Sequence, residues 1–224
     1  MAASPLPRST AGAASPTGPG FGGRRRAPAE IDTRSRILQA SLLLFRQRGY
    51  HGVGISEILA LAEAPRGCLY HHFPGGKDQI AVEVVELVAA RVVDVLADPL
   101  ATTTAMALRE FGARLRKWMQ RTAREQSDSA CAVIASLAAE GESSTAVALA
   151  AKLAYERIAA VLASRLQGEG FPPPAARETA FLVIALVEGA GLVSQTIKDP
   201  RLFTAAIERA VALCEVVPPR EVSS

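Results

Sequence analysis

The residues best suited to chemistry in this sequence lie close together, between positions 66 and 77. Arg66, Tyr70, His71 and Lys77 supply positive charge and hydrogen-bond donors, and two of them, Tyr70 and His71, belong to the run Gly67-Cys-Leu-Tyr-His-His-Phe73. Donors of this kind at short spacing suit the phosphates and base edges of duplex DNA. The stretch therefore predicts a nucleic-acid-binding surface.

The surrounding sequence predicts the helices that such a surface needs. Recognition in the major groove requires a short helix held by a second helix across a tight turn. Residues 54–73 fit this helix-turn-helix pattern: a short helix over 54–63, a turn at 64–67, and a shorter helix through Phe73 before Pro74-Gly75-Gly76. Leu69 and Phe73 are spaced to bury the inner face of that last helix against Ile58 and Phe45.

Several residues in this segment allow more than one interpretation. Gly67 permits either close approach to the duplex backbone or close packing between helices. Tyr70 suits a phosphate contact or a rim aromatic packed on the first helix. His71 and His72 diverge by about 100° on a helix, so the pair is not expected to share a metal ion. Lys77 lies where a fourth helix begins, where its ammonium and nearby free backbone amides can bind one phosphate.

The rest of the chain predicts an all-α protein of about nine helices. Asp32 or Thr33 can cap the first helix and Gly49 can end it. Apolar residues then recur at helical spacing to Pro218-Pro219, and no long period-two segment indicates a sheet. We expect a disordered basic arm at 1–30, a DNA-binding domain at 31–91, a larger helical domain at 92–218 and a disordered tail at 219–224.

Charge and cysteine usage agree with this division. Residues 24–80 hold nine Arg or Lys against five Asp or Glu, whereas residues 81–224 hold fifteen against seventeen. A basic N-terminal part suits a polyanionic partner, although a solvated basic face has the same composition. Three separated cysteines without a C-x-x-C pair favour a reducing cytoplasm. The longest uncharged apolar run, 179–187, is shorter than a membrane span needs, so we expect no membrane partner.

The head segment resembles the DNA-binding domain of the TetR/AcrR family of bacterial regulators. The turn before Gly67 and the junction before Lys77 are similar to the LmrA/YxaF-type branch. The matching positions are Ile37-Leu38, Ala40, Leu44-Phe45, Arg48-Gly49-Tyr50, Ile55, Ile58, Gly67, Leu69-Tyr70-His71-His72-Phe73 and Lys77. This resemblance implies a homodimeric transcriptional regulator that binds a palindromic operator. It also implies a repressor released by a small apolar or amphipathic ligand, with activation left open.

The resemblance also implies roles for single residues. Arg66 and Cys68 would face bases, whereas Tyr70, His71 and Lys77 would mostly contact phosphates. Cys68 could instead pack locally or sense oxidation. The family usually has Thr or Ser where Val53 and Gly54 stand here, so one helix cap and one phosphate anchor are expected to be missing.

For residues 81–224 the resemblance implies a ligand-binding and dimerisation domain whose last two helices pair across a two-fold axis. The expected pocket residues, each of which could also be ordinary core, are Met106, Phe111, Leu115, Trp118, Met119, Cys131, Tyr155 and Phe181. Glu140 or Glu188 could orient a cationic ligand, or both could be solvated. The expected dimer contacts, which intrachain packing explains equally well, are Phe181, Ala185, Gly189, Leu192, Phe203, Ile207 and Ala210. Relatives in the branch carry Gly-Cys-Pro where Ala130-Cys131-Ala132 stands, so no ligand class is carried over.

The sequence does not favour an enzyme. Gly141-Glu142-Ser143-Ser144 lacks the second glycine and the preceding strand of a nucleophile elbow. The chain contains neither a Walker A loop nor a G-x-G-x-x-G loop. All three histidines, at 51, 71 and 72, lie in the predicted DNA-binding head, which leaves the larger domain without a histidine base. We therefore predict no catalytic residues, no metal and no cofactor.

Overall fold

The computed structural model describes residues 32–124, 133–140 and 144–216. Within these ranges the chain forms nine α-helices and no β-strand, which confirms the predicted all-α class. The helices are α1 (Thr33–Arg48), α2 (Ile55–Leu61), α3 (Leu69–His72), α4 (Gly76–Leu96), α5 (Thr104–Arg124), α6 (Val133–Glu140), α7 (Thr145–Gly168), α8 (Pro173–Thr196) and α9 (Pro200–Glu215). The expected arm at 1–30 and tail at 219–224 lie outside the described residues.

Local signals in the sequence set both ends of α1. The carboxylate of Asp32 accepts a hydrogen bond from the Ser35 amide at 2.9 Å, so Asp32 rather than Thr33 is the N-cap. At the other end Gly49 adopts a φ of 67°, a left-handed conformation that costs glycine little. Its amide donates to the Phe45 carbonyl at 2.9 Å and so satisfies one of the last free acceptors of the helix.

Proline and aspartate set the starts of the last two helices. α8 begins at Pro173, whose missing amide hydrogen is not needed in the first turn of a helix. α9 begins at Pro200, and the carboxylate of Asp199 accepts from the Arg201 amide at 2.9 Å. Both starts lie close to the predicted positions, because capping depends on residues that are adjacent in the chain.

α4 is the element that joins the DNA-binding segment to the rest of the molecule. It packs against α1 on one side and against α5, α6 and α7 on others. The predicted domain boundary between residues 91 and 92 falls inside this unbroken helix. The described residues belong to one compact unit. The core face of α4 consists of Ile80, Ala81, Val84, Val85, Ala89 and Leu96.

Candidate nucleic-acid interface and ligand cavity

The short helix of the predicted DNA-binding motif is held by a buried apolar face. Arg66–Cys68 form a 3₁₀ turn that leads directly into α3. Leu69 and Phe73 are fully buried in the same apolar core as Ile58 and Phe45, as the sequence predicted. An element of only two turns cannot be stable alone, so this burial fixes the orientation of the outer face.

The outer face presents most of the predicted contact residues to solvent. Arg66, Gly67 and His71 are exposed, and Tyr70 keeps 65% of its surface accessible. Most of the Tyr70 ring is therefore accessible, and its contact with a phosphate stays a prediction. Cys68 is half-buried, and its thiol lies 2.9 Å from the Pro65 carbonyl oxygen, which it contacts as a weak donor.

Gly67 lies in open space. A Cβ added there would meet no atom within 4 Å among the described residues, and the residue does not adopt a positive φ. Neither helix packing nor backbone conformation therefore requires a glycine at this position. The packing interpretation is therefore not supported in the described chain, and close approach of the duplex stays a prediction.

Lys77 belongs to a polar cluster at the start of α4. Its ammonium lies 4.2 Å from the centre of the Tyr50 ring, a cation–π contact. The Tyr50 hydroxyl donates to the Asp78 carboxylate, and this bond, with a second from Ser144 of the α7 N-cap, holds the pKa of Asp78 below its usual value. The cluster thus links the lysine to both the head and α7.

The backbone amides beside Lys77 differ from expectation. The Gly75 amide donates to the side-chain oxygen of Gln79 at 2.9 Å, and the Gly76 amide donates to the Phe73 carbonyl at 2.9 Å. These two amides are therefore already occupied, and the prediction that nearby amides are free is wrong for them. The lysine side chain itself remains the candidate phosphate ligand.

The start of α2 uses a different cap from the usual hydroxyl. Val53 is buried, and Gly54 has no side chain to offer. Instead the Glu57 carboxylate accepts the Gly54 amide at 2.9 Å and also accepts from Arg48 at 3.0 Å. These bonds lower the pKa of Glu57, with the Arg48 bond as the larger cause. Glu57 supplies the half of a capping box that satisfies the Gly54 amide, while the bond that a hydroxyl at position 54 would accept is absent; the sequence interpretation predicted this absence and did not mention Glu57.

A cavity of about 250 Å³ lies between the head and the larger helical part. α1, α4, α5, α6, α7, α8 and α9 all contribute to its wall. The apolar lining consists of Val88, Val92, Val95, Leu96, Leu108, Phe111, Leu115, Val133, Ile134, Ile158, Leu162, Val183, Ile184, Val187 and Phe203. Its polar lining is Arg46, Arg91, Arg114, Tyr155 and Glu188. Mostly apolar walls with a few polar groups are typical of small-molecule sites.

Comparison with known proteins decides the family. Residues 37–84 match the model for bacterial regulatory proteins of the tetR family, and residues 104–209 match the model for the LmrA/YxaF-like transcriptional regulator C-terminal domain. The HTH-type transcriptional regulator LmrA of Bacillus subtilis is 33% identical over 171 residues, covering 75% of this chain and 89% of LmrA. The chain belongs to the TetR family. It is accordingly a DNA-binding transcriptional regulator of the LmrA/YxaF-like branch, as the resemblance implied.

Further relatives of this TetR-family regulator agree on fold. The regulator YxaF of B. subtilis is 28% identical over 175 residues, covering 75% of this chain and 87% of YxaF. A TetR regulator from Legionella pneumophila superposes with a TM-score of 0.71 at 20% identity, covering 82% of this chain and 97% of that one. The reduced form of NemR from Escherichia coli gives 0.60 at 24% identity, covering 81% and 97%.

The expected pocket residues fall into three groups. Phe111, Leu115 and Tyr155 line the cavity. Met106 does not: it is exposed and lines a separate groove between α5 and α9. Phe181 is also absent from the described cavity wall, and the guanidinium of Arg177 lies 5.1 Å from the centre of its ring. The side chains of Trp118 and Met119, all of Cys131, and the side chain of Glu140 lie outside the described residues.

Two polar cavity residues contact each other. Oε2 of the Glu188 carboxylate is buried without a hydrogen-bond partner among the described residues, and the Tyr155 hydroxyl lies close enough to this carboxyl group to lower its pKa. Burial raises the pKa of Glu188 to about 7, and the Tyr155 bond offsets part of the effect. Of the two alternatives left open for Glu188, the solvated one is wrong.

The expected dimer contacts separate into exposed and buried sets. Ala185, Gly189 and Leu192 lie on an exposed stripe of α8 with Leu182 and Val193. Phe203, Ile207 and Ala210 are buried within the chain, and a Cβ at Gly112 of α5 would lie only 2.9 Å from Ile207. These three residues are therefore core, and Phe181 is half-buried beside the α8 stripe. The exposed apolar residues of α9 are instead Leu202, Ala205, Ala212 and Leu213.

Among the described residues, α8 is also the one helix long and apolar enough to cross a membrane by length and composition, with a mean hydropathy of 1.5. Core and interface helices of soluble proteins meet the same criterion, so it does not identify a membrane protein. The described residues contain no cluster of three His, Cys, Asp or Glu suited to a metal ion. The rings of His71 and His72 lie 5.0 Å apart and are tilted by 71°.

Proposed function

We propose that the protein is a homodimeric repressor that binds a palindromic operator in bacterial cytoplasm and leaves it when a small apolar molecule fills the cavity. The observation that carries the ligand response is the composition of the cavity wall. It includes Arg46 from the last turn of α1 and five residues of α4, the helix that begins beside Lys77. A ligand there touches the two helices that position the DNA-binding surface.

On the DNA side, we infer a division of labour among the outer residues. Arg66 and Cys68 would read base edges, whereas Tyr70, His71 and Lys77 would contact phosphates. Gly67 would lie against the duplex. This proposal is supported by the exposure of Arg66, Tyr70 and His71, by the empty space at Gly67, and by the family to which the chain belongs.

We further propose that α8 and α9 form the dimer interface. Ala185, Gly189 and Leu192 keep their predicted place there, while the contribution of α9 shifts to Leu202 and Leu213. A Cβ at Gly189 meets no described atom within 4 Å, so the helix can approach a partner helix closely. Two heads of such a dimer would need to lie about 34 Å apart to enter successive major grooves.

The mechanism would be a shift between two states of the dimer. A ligand that binds more tightly to a conformation with a different head spacing lowers DNA affinity by the ratio of its two affinities. The head would comprise 31–91, and the ligand-binding and dimerisation part 92–218. No catalytic role is proposed, because the relatives that define the family are transcriptional regulators.

A gel-shift assay on DNA flanking its own gene tests this function. We expect a shift at low salt that competitor DNA of unrelated sequence does not abolish. Lys77→Ala should weaken binding to all sequences and reduce the salt slope by about one per head, because one phosphate contact is lost. Arg66→Ala should change the sequence preference instead.

Lys152→Ala is the matched control, because Lys152 is an exposed lysine on α7. It should leave the Kd and the salt slope unchanged. A folded dimer that gives no shift with any flanking DNA at low salt would refute the proposed function. Equal effects of the Arg66 and Lys77 variants on every sequence would refute the division of roles.

A further inference from the structure

The cavity wall contains a buried carboxylate oxygen that accepts no hydrogen bond from the described residues. This atom is Oε2 of Glu188, and the Tyr155 hydroxyl lies close enough to the same carboxyl group to lower its pKa. A buried acceptor without a donor destabilises the folded chain, and more so when it is charged. Such a group is stabilised by any ligand that brings the missing donor into the cavity.

The charges around the cavity determine which donor fits. Arg46, Arg91 and Arg114 line the same space, from α1, α4 and α5. Arg91 and Arg114 are exposed, and Arg114 contacts Glu110 at 2.6 Å and Asp98 at 4.0 Å. Burial is the main cause of the raised pKa of Glu188. Arg114 is paired with Glu110 and Asp98 rather than with Glu188.

The geometry points to a ligand class for this cavity: we propose an apolar molecule carrying one protonated amine, whose N–H donates to Oε2 of Glu188. The inference rests on the proposed function, because it assigns the ligand of the same cavity. A charged donor on a buried carboxylate forms a bond roughly twice as strong as a neutral one. The apolar part of the ligand would contact the valine and leucine side chains contributed by α4 and α5.

The cavity has room for a compact apolar skeleton. A volume of about 250 Å³ accommodates a fused pair of aromatic rings with a short substituent. Glu188 and Val187 belong to α8, so an amine on Glu188 places the ring system between α8 and the facing helices. Tyr155 keeps the carboxylate oriented, which makes it a positioning residue for the amine.

Isothermal titration calorimetry of the full chain with three matched probes tests the ligand class. Naphthylmethylamine, naphthylmethanol and naphthoate share a ring system and differ in the charge of one substituent. We expect the amine to bind on the order of tenfold more tightly than the alcohol, and the carboxylate to bind most weakly. Glu188→Gln should remove the preference for the amine, whereas Glu178→Gln, at an exposed carboxylate of the same helix, should keep it.

A second measurement uses the unmodified chain, so it holds even where the glutamine variant fails to fold. Amine binding ionises Glu188, and the proton passes to the buffer. Titrations at about pH 6 in two buffers of different ionisation enthalpy should show release approaching one proton per site for the amine and none for the alcohol.

Three results would overturn the proposal: tightest binding of naphthoate, equal binding of amine and alcohol, or no amine binding at about 1 mM. Tightest binding of naphthoate would assign the anchoring role to the arginines. The gel-shift assay distinguishes a wrong ligand class from a wrong proposed function, because it measures DNA binding independently of the probes. A chain that shifts its operator but does not discriminate among the probes remains a DNA-binding regulator with a different ligand class.

Discussion

Replacing Gly67 by alanine should affect DNA binding and protein stability differently, because the added methyl group meets space in the free chain and DNA in the proposed complex. Within the described chain a methyl group at this position touches nothing within 4 Å, and the backbone has no positive φ that alanine would resist. The proposed interface instead places Gly67 against the duplex, where an added methyl group must displace either DNA or the helix.

The substitution should make the free protein more stable and its DNA binding weaker. Alanine loses less backbone freedom than glycine on folding, so Gly67→Ala should stabilise the protein by about 0.5–1 kcal/mol. For a chain of this size that corresponds to a rise in Tm of about 1–4 °C. In the DNA complex, overpacking by one methyl group costs on the order of 1–3 kcal/mol, which weakens the Kd by roughly five- to 150-fold.

The assay pairs thermal unfolding, followed by circular dichroism, with a gel-shift titration. Gly168→Ala is the control, since Gly168 lies at the end of α7 and a Cβ there also meets no described atom within 4 Å. This variant should raise Tm similarly and leave the Kd unchanged. Gly67→Ala with raised Tm and unaltered DNA affinity would show that Gly67 does not face the duplex.

Three further predictions concern pH, assembly and the first loop. Burial raises the pKa of Glu188 from 4.5 to about 7, so its contribution to stability is full below about pH 4.5 and is lost as the pH rises through 7. The free energy of unfolding in urea should therefore be higher at about pH 5 than at about pH 8, by up to about 3 kcal/mol from this group, and Glu188→Gln should remove that difference. Leu192→Glu should convert dimer to monomer in analytical ultracentrifugation while changing secondary structure little, because Leu192 is exposed in the single chain; an intact dimer would exclude this face. Gly52→Ala should destabilise by about 1–3 kcal/mol in urea unfolding, because the new Cβ collides with the Arg48 carbonyl oxygen; unchanged stability would contradict the loop geometry.

The sequence predicted the helices well, because their ends depend on neighbours in the chain. Asp32, Gly49 and Asp199-Pro200 act within one turn of the residues they cap. The inner face of α3 was also predictable, since Leu69 and Phe73 are separated by one helical turn and followed by a proline. Interactions between residues close together in the sequence determine the structure at these positions.

Prediction failed where packing partners lie far apart in the sequence. α9 carries apolar residues on two faces, so periodicity identified Phe203, Ile207 and Ala210 as one face without showing that this face packs inside the chain. Arg46 was not predicted as a cavity residue, because α1 and α8 line the same cavity only as a result of the tertiary fold. The burial of Glu188 could not be predicted for the same reason, because it depends on helices that are distant in the sequence.

The length of α4 has a mechanical consequence. Lys77 and Val92 lie fifteen residues apart on this one helix, a distance of about 22 Å at 1.5 Å per residue. With the cavity end as pivot, a tilt of about 5° carries the lysine end by about 2 Å, more than the tolerance of a hydrogen bond to a phosphate. In the proposed mechanism, α4 would therefore enlarge at the DNA-binding surface a side-chain adjustment at Val92 that is too small to alter the fold.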